Sequence, residues 1–231
     1  MSVAEPLVLA ADAAPRASAP TLRLTEIFCS IQGEARAMGW PTVFVRLTGC
    51  PLRCGYCDSA YAFHGGRKWS LPDILAEVRR HGTRRVCVTG GEPLAQRLCL
   101  DLLKQLCDAG FEVSLETSGA LDIGAVDPRV SRVMDLKTPG SGELKRNLYG
   151  NIALLTSHDQ VKFVVCDRSD YEWARALCAE HALTRRCEVL FSASQGQLAP
   201  GELADWILAD RLAVRLQLQM HKILWGDVPG R

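Results

Sequence analysis

The chain has 231 residues, of which 48% are hydrophobic, and its 27 basic and 26 acidic residues give a net charge of +1. One domain with a substantial buried core is expected at this length. The charge balance argues against a nucleic-acid binder held mainly by phosphate contacts. No apolar run approaches the ~18 residues of a membrane span.

The first 20 residues differ in composition from the rest. Residues 1–20 contain seven alanines and three prolines and show no useful periodicity. They predict a disordered tail ahead of a single domain at 21–231. The segment lacks a basic region, so a signal peptide is not expected. Most of the ten cysteines lie in apolar runs, where they behave as small hydrophobes, and they indicate a reducing, cytoplasmic compartment.

Strands and helices are predicted in alternation after this tail. The predicted strands are 22–27, 42–47, 85–89, 111–115, 132–136, 160–165, 188–191 and 213–218, and the predicted helices are 70–81, 94–109, 170–181 and 202–209. The connection 119–132 is too short for a full helix, and the glycines at 139–151 suggest a mobile lid. The order favours α/β architecture with a mostly parallel sheet. An incomplete (β/α) barrel fits better than a doubly wound sheet, because no G-x-G-x-x-G opens a helix.

Three cysteines cluster after the second predicted strand. Cys50, Cys54 and Cys57 follow a C-x3-C-x2-C spacing, which brings three thiols onto one loop. Tetrahedral zinc needs four ligands and an ordinary four-iron cluster needs four cysteines. A cluster held by three thiolates therefore leaves one iron open. Zinc through these cysteines and His64 is one alternative, disfavoured because there is no second C-x2-C pair and His64 is the only nearby histidine. A disulfide framework is disfavoured by the length of the chain and the lack of a secretory signal, and three unrelated structural cysteines are disfavoured by the clustering.

Polar residues follow the ends of the predicted strands, where ligands bind in such barrels. These are the cysteine loop, Thr89–Glu92, Glu116, Asp135–Lys137, Ser192–Ser194 and Gln219. Each alone is compatible with a turn, but together they predict a site at one edge of the sheet. Gln32-Gly33-Glu34 is a further polar loop, whose glycine would let the backbone approach a ligand. An ordinary turn is the simpler interpretation of that loop from the sequence alone.

Four stretches together resemble one family. They are Ile31-Gln32-Gly33-Glu34, the cysteine motif followed by Asp58-Ser59, Thr89-Gly90-Gly91-Glu92-Pro93, and the terminal His221-Lys222…Gly226-Asp227-Val228-Pro229. They resemble the 7-carboxy-7-deazaguanine synthase family, radical S-adenosylmethionine (SAM) enzymes of queuosine and 7-deazapurine biosynthesis, over about residues 22 to 229. The resemblance implies a radical SAM barrel and a lyase. It implies conversion of 6-carboxy-5,6,7,8-tetrahydropterin to 7-carboxy-7-deazaguanine, with ring contraction and loss of ammonia.

The resemblance also implies cofactors and the residues that hold them. The cofactors are a [4Fe-4S] cluster, SAM and Mg2+. The cluster ligands are Cys50, Cys54 and Cys57, and the Mg2+ ligand is Ser59. The SAM contacts are Tyr56, Cys57, Asp58, Gly91, Asp135, Leu136, Lys137, Phe191, Ser192, Ala193 and Ser194. The pterin contacts are Ile31, Gln32, Gly33, Arg46 (to the carboxylate), Thr89 and Pro229. Glu116 is the catalytic candidate, as a proton carrier or as an orienting carboxylate.

Three departures from the family pattern stand out. Ala35 occupies a position that is often a second glycine, Ser192-Ala193-Ser194 replaces a Gln-Pro-rich version, and Gly230-Arg231 extend past the proline that ends some members. The implied partners are the small pterin, a reductant such as flavodoxin, and a second copy of the chain through the helix of Trp206 or the final strand; nucleic acid and membrane are not expected. A glycyl-radical activating enzyme, with a protein substrate in an open groove, and a zinc module are the competing interpretations.

Overall fold

The fold is a single mostly parallel sheet covered by helices. The computed structural model describes residues 20–226, 228 and 230. The strands are β1 (Thr21–Ile31), β2 (Pro41–Leu47), β3 (Arg67–Ser70), β4 (Arg85–Gly90), β5 (Glu112–Thr117), β6 (Ser131–Asp135), β7 (Gln160–Val165), β8 (Glu188–Ala193) and β9 (Arg215–Gln217). The helices are α1 (Leu71–Arg80), α2 (Cys99–Asp108), α3 (Arg168–Glu180), α4 (Leu183–Arg186), α5 (Pro200–Ala209) and α6 (Met220–Trp225).

The sheet is an open barrel wall. Its strand order is β3-β1-β2-β4-β5-β6-β7-β8-β9. Every pair from β2 to β9 is parallel, whereas β1 runs antiparallel to both β2 and β3. The parallel α/β prediction is therefore confirmed, and the ends of seven strands meet at one rim.

The core is built from strands that are buried on both faces and from helices that are buried on one face. Val86, Cys87 and Val88 of β4 are all fully buried, as expected for a strand covered on both faces. On α1, the buried residues Leu71, Ile74, Leu75 and Val78 make one face. Ser70 caps α1 as predicted, because its side chain accepts a hydrogen bond from the Asp73 amide.

Several predicted boundaries are wrong. The helix predicted at 94–109 begins only at Cys99, after a short 3-10 turn at Pro93–Ala95. Gln96 is extended, because its side chain bonds both the amide and the carbonyl of Arg23. The first strand extends to Ile31, and the last is shorter than predicted. The helix predicted at 170–181 starts two residues earlier. β3, α4 and α6 were not predicted at all.

Residues 139–151, which their glycines suggested as a lid, are held by hydrogen bonds. They form short 3-10 turns at Pro139–Ser141, Leu144–Arg146 and the start of Tyr149–Leu154. Asn147 both donates to and accepts from the backbone of Lys137, at 2.9 Å each. As predicted, the connection between β5 and β6 contains no helix.

The connection from β1 to β2 crosses the amino-terminal mouth of the barrel. Ala35 packs there against Val133 of β6 and Leu190 of β8. Arg36 donates to the Ser157 and His158 carbonyls, just before β7. The β1–β2 connection therefore covers the amino-terminal end of the barrel.

The remaining two expectations concern the N-terminal tail and membrane-spanning segments. The predicted tail at 1–20 lies outside the described residues except for Pro20. No helix among the described residues is long and apolar enough to cross a membrane.

Candidate active site

The three clustered cysteines lie on the connection that follows β2. This connection is fixed to β4, because Gly49 donates to the Ala62 carbonyl and accepts from the Glu92 amide, both at 2.8 Å. A Cβ atom at Gly91 would lie 2.3 Å from the Gly49 oxygen. Glycine is therefore required for the end of β4 to approach the cysteine loop this closely.

A cavity of about 940 Å³ opens at the carboxyl ends of the strands and reaches into the barrel. Cys50, Cys54 and Cys57 line it, and all three are free and partly buried. Burial raises the pKa of each thiol, that of Cys54 to about 11, and the nearby Lys137 ammonium opposes this rise. Metal ligation needs thiolates, so binding at this loop would release protons.

The zinc alternative requires the three cysteines to converge on one metal ion. A single zinc ion draws its ligands to ~2.3 Å from one point. In the described part of the chain, no three His, Cys, Asp or Glu side chains are gathered in this way. Each thiolate of an iron–sulfur cluster binds a different iron, so its ligands stand further apart. His64, the fourth ligand of the zinc alternative, is exposed and does not line the cavity.

Tyr56, Asp135 and Lys137 line the same cavity as the cysteines. Asp135 Oδ2 lies 2.9 Å from Lys137 Nζ, which lies 5.7 Å from the centre of the Tyr56 ring. Asp135 Oδ1 and the Tyr56 hydroxyl are buried without a hydrogen-bond partner among the described residues. Because buried polar atoms are nearly always paired, these two mark a place that a bound polar molecule would complete.

Most residues assigned from the resemblance line this cavity. They are Ile31, Gln32, Gly33, Arg46, Cys50, Cys54, Tyr56, Cys57, Asp58, Ser59, Thr89, Gly91, Glu116, Asp135, Lys137, Ser192, Ala193 and Ser194. Leu136 and Phe191 do not, because both side chains are fully buried in the hydrophobic core. Only their backbone groups remain for a ligand. Pro229 lies outside the described residues.

Glu116 is held in place by two polar neighbours. Its Oε2 accepts from Thr89 Oγ1 at 3.0 Å, and its Oε1 accepts from Gln32 Nε2 at 3.4 Å. Thr89 and Glu116 come from neighbouring strands, and Gln32 comes from the β1–β2 connection. The carboxylate is thus oriented inside the cavity.

Arg46 lies between two aromatic rings and one carboxylate. Its guanidinium carbon is 5.9 Å from the Phe28 ring centre and 5.7 Å from that of Tyr61. Its Nε donates to Glu26 Oε1 at 2.8 Å, and NH1 lies 3.5 Å from Ser59 Oγ. Sequence reasoning did not identify Glu26 or Tyr61, whose hydroxyl also donates to Glu26. One edge of the guanidinium is therefore anchored while the other faces the predicted magnesium ligand.

Asp58 connects the cysteine loop to the segment around α6. Ser59 Oγ donates to Asp58 Oδ1 at 2.9 Å, and Lys222 Nζ lies 3.4 Å from Asp58 Oδ2. Gln219 Nε2 donates to Asp58 Oδ2 at 3.3 Å. Burial opposes ionisation of Asp58, but Lys222 and these hydrogen bonds outweigh it and hold its pKa below the usual value.

The same C-terminal segment packs on the loop Ile31-Gln32-Gly33-Glu34, here called the predicted pterin loop. The Met220 amide donates to the Gly33 carbonyl at 3.1 Å, and a Cβ at Gly33 would lie 2.2 Å from His221 Nδ1. Ala35 has φ of +61°, so this chain keeps the left-handed backbone that a glycine would adopt freely.

Glu92 has a structural role that the sequence did not reveal. It is fully buried and accepts hydrogen bonds from Leu94 N, Ser118 N, Ser118 Oγ and Thr117 Oγ1. Thr117 is the last residue of β5, and Ser118 follows it directly. The carboxylate thus joins the end of β4 to the end of β5 beneath the cavity.

Comparisons with known proteins agree with this geometry. Residues 44–137 match the radical SAM superfamily. The chain is 44% identical over 208 residues to the 7-carboxy-7-deazaguanine synthase of Chlorobaculum tepidum, covering 89% of this chain and 94% of that protein. It is 42% identical over 219 residues to the synthase of Koribacter versatilis, covering 88% of this chain and 97% of that one. The chain belongs to the 7-carboxy-7-deazaguanine synthase family.

A solved structure supports the same fold. The crystal structure of QueE from Escherichia coli, 24% identical in sequence, superposes with a TM-score of 0.71 over 87% of this chain and 95% of that chain. The radical SAM match includes the cysteine loop and ends at Lys137. As a radical SAM protein of the 7-carboxy-7-deazaguanine synthase family, the chain uses a [4Fe-4S] cluster and SAM. The three free thiols and the unpartnered Asp135 oxygen are the candidate groups for holding them.

Proposed function

We propose that this protein is a radical SAM lyase that converts 6-carboxy-5,6,7,8-tetrahydropterin to 7-carboxy-7-deazaguanine and ammonia. The observation that carries the proposal is the cavity that places the three cysteines, Arg46 and Glu116 together in a chain 44% identical to a named synthase. Substrate and products balance as one pterin giving one deazaguanine and one NH3, so the overall reaction needs no net oxidant.

The residues of the cavity would divide the work as follows. Cys50, Cys54 and Cys57 hold the cluster, and when bound, the cluster and SAM supply the radical that removes one hydrogen atom from the substrate. Arg46 binds the substrate carboxylate with the guanidinium edge that does not bond Glu26. Ser59 gives one oxygen to Mg2+, which takes its other ligands from substrate and water.

Glu116 would carry a proton to the nitrogen that leaves as ammonia. Support comes from its two hydrogen bonds, which aim the carboxylate into the cavity. Glu116→Gln keeps the size and one acceptor oxygen, and the Thr89 hydroxyl can rotate to accept from the new amide group, but the variant lacks the proton carrier. We expect it to lower kcat by about 100-fold or more with little change in pterin affinity. A variant that loses affinity and keeps kcat would instead make Glu116 an orienting group.

Anaerobic turnover tests the proposed reaction. The reconstituted protein is given SAM, Mg2+, dithionite and 6-carboxytetrahydropterin, and the products are read by mass spectrometry. We expect a product lighter than the substrate by one ammonia, absent with Cys54→Ala and retained with Cys107→Ala, a partly buried cysteine on α2. Cleavage of SAM to 5′-deoxyadenosine without pterin conversion would refute the substrate.

Contacts of the C-terminal segment beside the cavity weigh against the competing enzyme class. A glycyl-radical activating enzyme needs a groove open to a protein chain. Here α6 packs on the Gly33 loop and Gln219 bridges to Asp58. These contacts suit a small enclosed substrate.

We also propose two partners and a compartment. Arg53, exposed beside the cysteines, suits an acidic reductant such as flavodoxin. Trp206 packs on Tyr171, whereas Leu208 of α5 is 73% exposed and Leu218 is 39% exposed, which favours a homodimer through this end of the sheet. Light scattering should show a dimer that Leu208→Glu weakens; a monomeric wild type would contradict it. The ten free cysteines suit the cytoplasm.

A further inference from the structure

One buried ion pair joins the two halves of the cavity. Lys162 lies on β7, in register with Asp135 of β6 and Leu190 of β8. Its Nζ lies 2.6 Å from Glu34 Oε2 and 3.9 Å from Asp135 Oδ2, and its side chain is only 15% exposed. The ammonium therefore bridges the β1–β2 connection and the strand end that faces the predicted SAM site.

Lys162 keeps its charge in this position. Burial alone lowers the pKa of a lysine, but the carboxylates of Glu34, Asp135 and Glu116 outweigh burial and raise the pKa of Lys162 above its usual value. Lys137 balances Asp135 from the other side, at 2.9 Å. The shortest contact of Lys162 is its ion pair with Glu34. Hydrogen bonds from other side chains to Glu34 support the same ion pair.

Glu34 is clamped on both oxygens. Its Oε2 also accepts from Gln217 Nε2 at 3.1 Å, and its Oε1 accepts from Gln219 Nε2 at 2.8 Å. The Gln217 side-chain oxygen accepts from the Ala35 amide at 2.6 Å. The side chain of Glu34 thus fixes a loop whose backbone groups are the predicted pterin contacts.

We propose that Lys162 is a positioning residue, which holds the pterin loop at a set distance from Asp135 through its ion pair with Glu34. The inference rests on the proposed function and adds to it a residue of the cavity wall that acts through Glu34. Without the ammonium, Glu34 is a buried carboxylate that retains only amide donors, and its present position is destabilised. The loop then shifts, and hydrogen abstraction is misaligned.

The test compares Lys162→Met with the wild type. Pterin binding is measured by calorimetry on the reconstituted enzyme with SAM and without reductant, so that nothing turns over. We expect Kd to rise by about 30-fold or more, as for loss of one partner of a buried pair. With reductant, KM should rise similarly, and more 5′-deoxyadenosine should form per deazaguanine. Lys104→Met, which removes an exposed lysine of α2 paired with Asp108, should change none of these.

Two further variants make the outcome decisive. Lys162→Met/Glu34→Gln should bind the pterin more tightly than Lys162→Met alone, because the unpaired buried charge is gone. Glu34→Gln, which leaves Lys162 in place, should raise Kd and serves if Lys162→Met does not fold. A lower Tm with unchanged Kd and KM would reduce Lys162 to a structural residue and overturn the inference. A wild type that neither binds nor converts the pterin would overturn the proposed function itself.

Discussion

Replacing Glu92 by glutamine should destabilise the protein strongly, although the two side chains are nearly identical in shape. Two backbone amides meet this carboxylate from different sides: Leu94 N donates to Oε1 at 3.0 Å and Ser118 N donates to Oε2 at 2.7 Å. In glutamine one of these oxygens becomes an NH2 group. Whichever way the amide is turned, a donor then faces a backbone N–H.

The cost follows from the groups left unpaired. One hydrogen bond to a charged acceptor, ~1.5–3 kcal/mol, is lost, and one buried N–H without an acceptor adds ~1–3 kcal/mol. The Thr117 and Ser118 hydroxyls can rotate, so they add little. We expect a loss of about 3–5 kcal/mol in the free energy of unfolding. In a chain of this size that corresponds to a Tm lower by ~6–20 °C.

Thermal unfolding of anaerobically purified Glu92→Gln measures this effect. The matched control is Glu112→Gln on β5, because Glu112 is half-exposed and its ion pair with Arg85 contributes ~0–1 kcal/mol. A drop in Tm no larger for Glu92→Gln than for the control would refute the reasoning. It would mean that the two strand ends do not depend on this carboxylate.

Two other perturbations follow from the structure. Gly33→Ala places a Cβ 2.2 Å from His221 Nδ1, so α6 must move, and we expect kcat/KM for the pterin to fall about ten-fold or more. The control is Gly150→Ala, which has open space around it and should have no effect. Equal activity of both variants would contradict this. The Arg132 guanidinium lies 2.6 Å from the Asp159 carboxylate. Burial raises the pKa of Asp159, but hydrogen bonds and the charge of Arg132 outweigh this effect and hold the pKa below its usual value. Asp159 therefore contributes stability above the pKa of the unfolded chain, ~4, and the contribution is lost as the pH falls through the folded pKa. The Tm difference between the wild type and Asp159→Asn should shrink from pH 5 to pH 3, and a constant difference would count against the ion pair.

The sequence predicted best what local patterns determine. Buried runs such as 85–89 and 160–165 have few alternatives to a central parallel strand, so the mostly parallel sheet followed from them. The cysteine loop was also recognisable, because its spacing alone brings three thiols together. Gly90 and Gly91 were ambiguous in sequence, and only the approach of Gly91 to Gly49 shows why glycine is needed there.

The sequence could not predict contacts that depend on distant parts of the chain. The extended backbone at Gln96, which delays α2, results from bonds to Arg23, 73 residues earlier. Lys162 and Glu34 are 128 residues apart, and each looks like an ordinary strand or loop charge by itself. Leu136 and Phe191 were assigned to the site from a motif, but the alternation of a strand turns their side chains into the core.

The contact between Glu34 and Gln217 has a consequence for how the enzyme comes into being. Gln217 is synthesised 183 residues after Glu34. During synthesis, the cysteine loop and its supporting strands are therefore complete long before the pterin loop can be clamped. The substrate pocket would therefore be finished only once the whole polypeptide has been made.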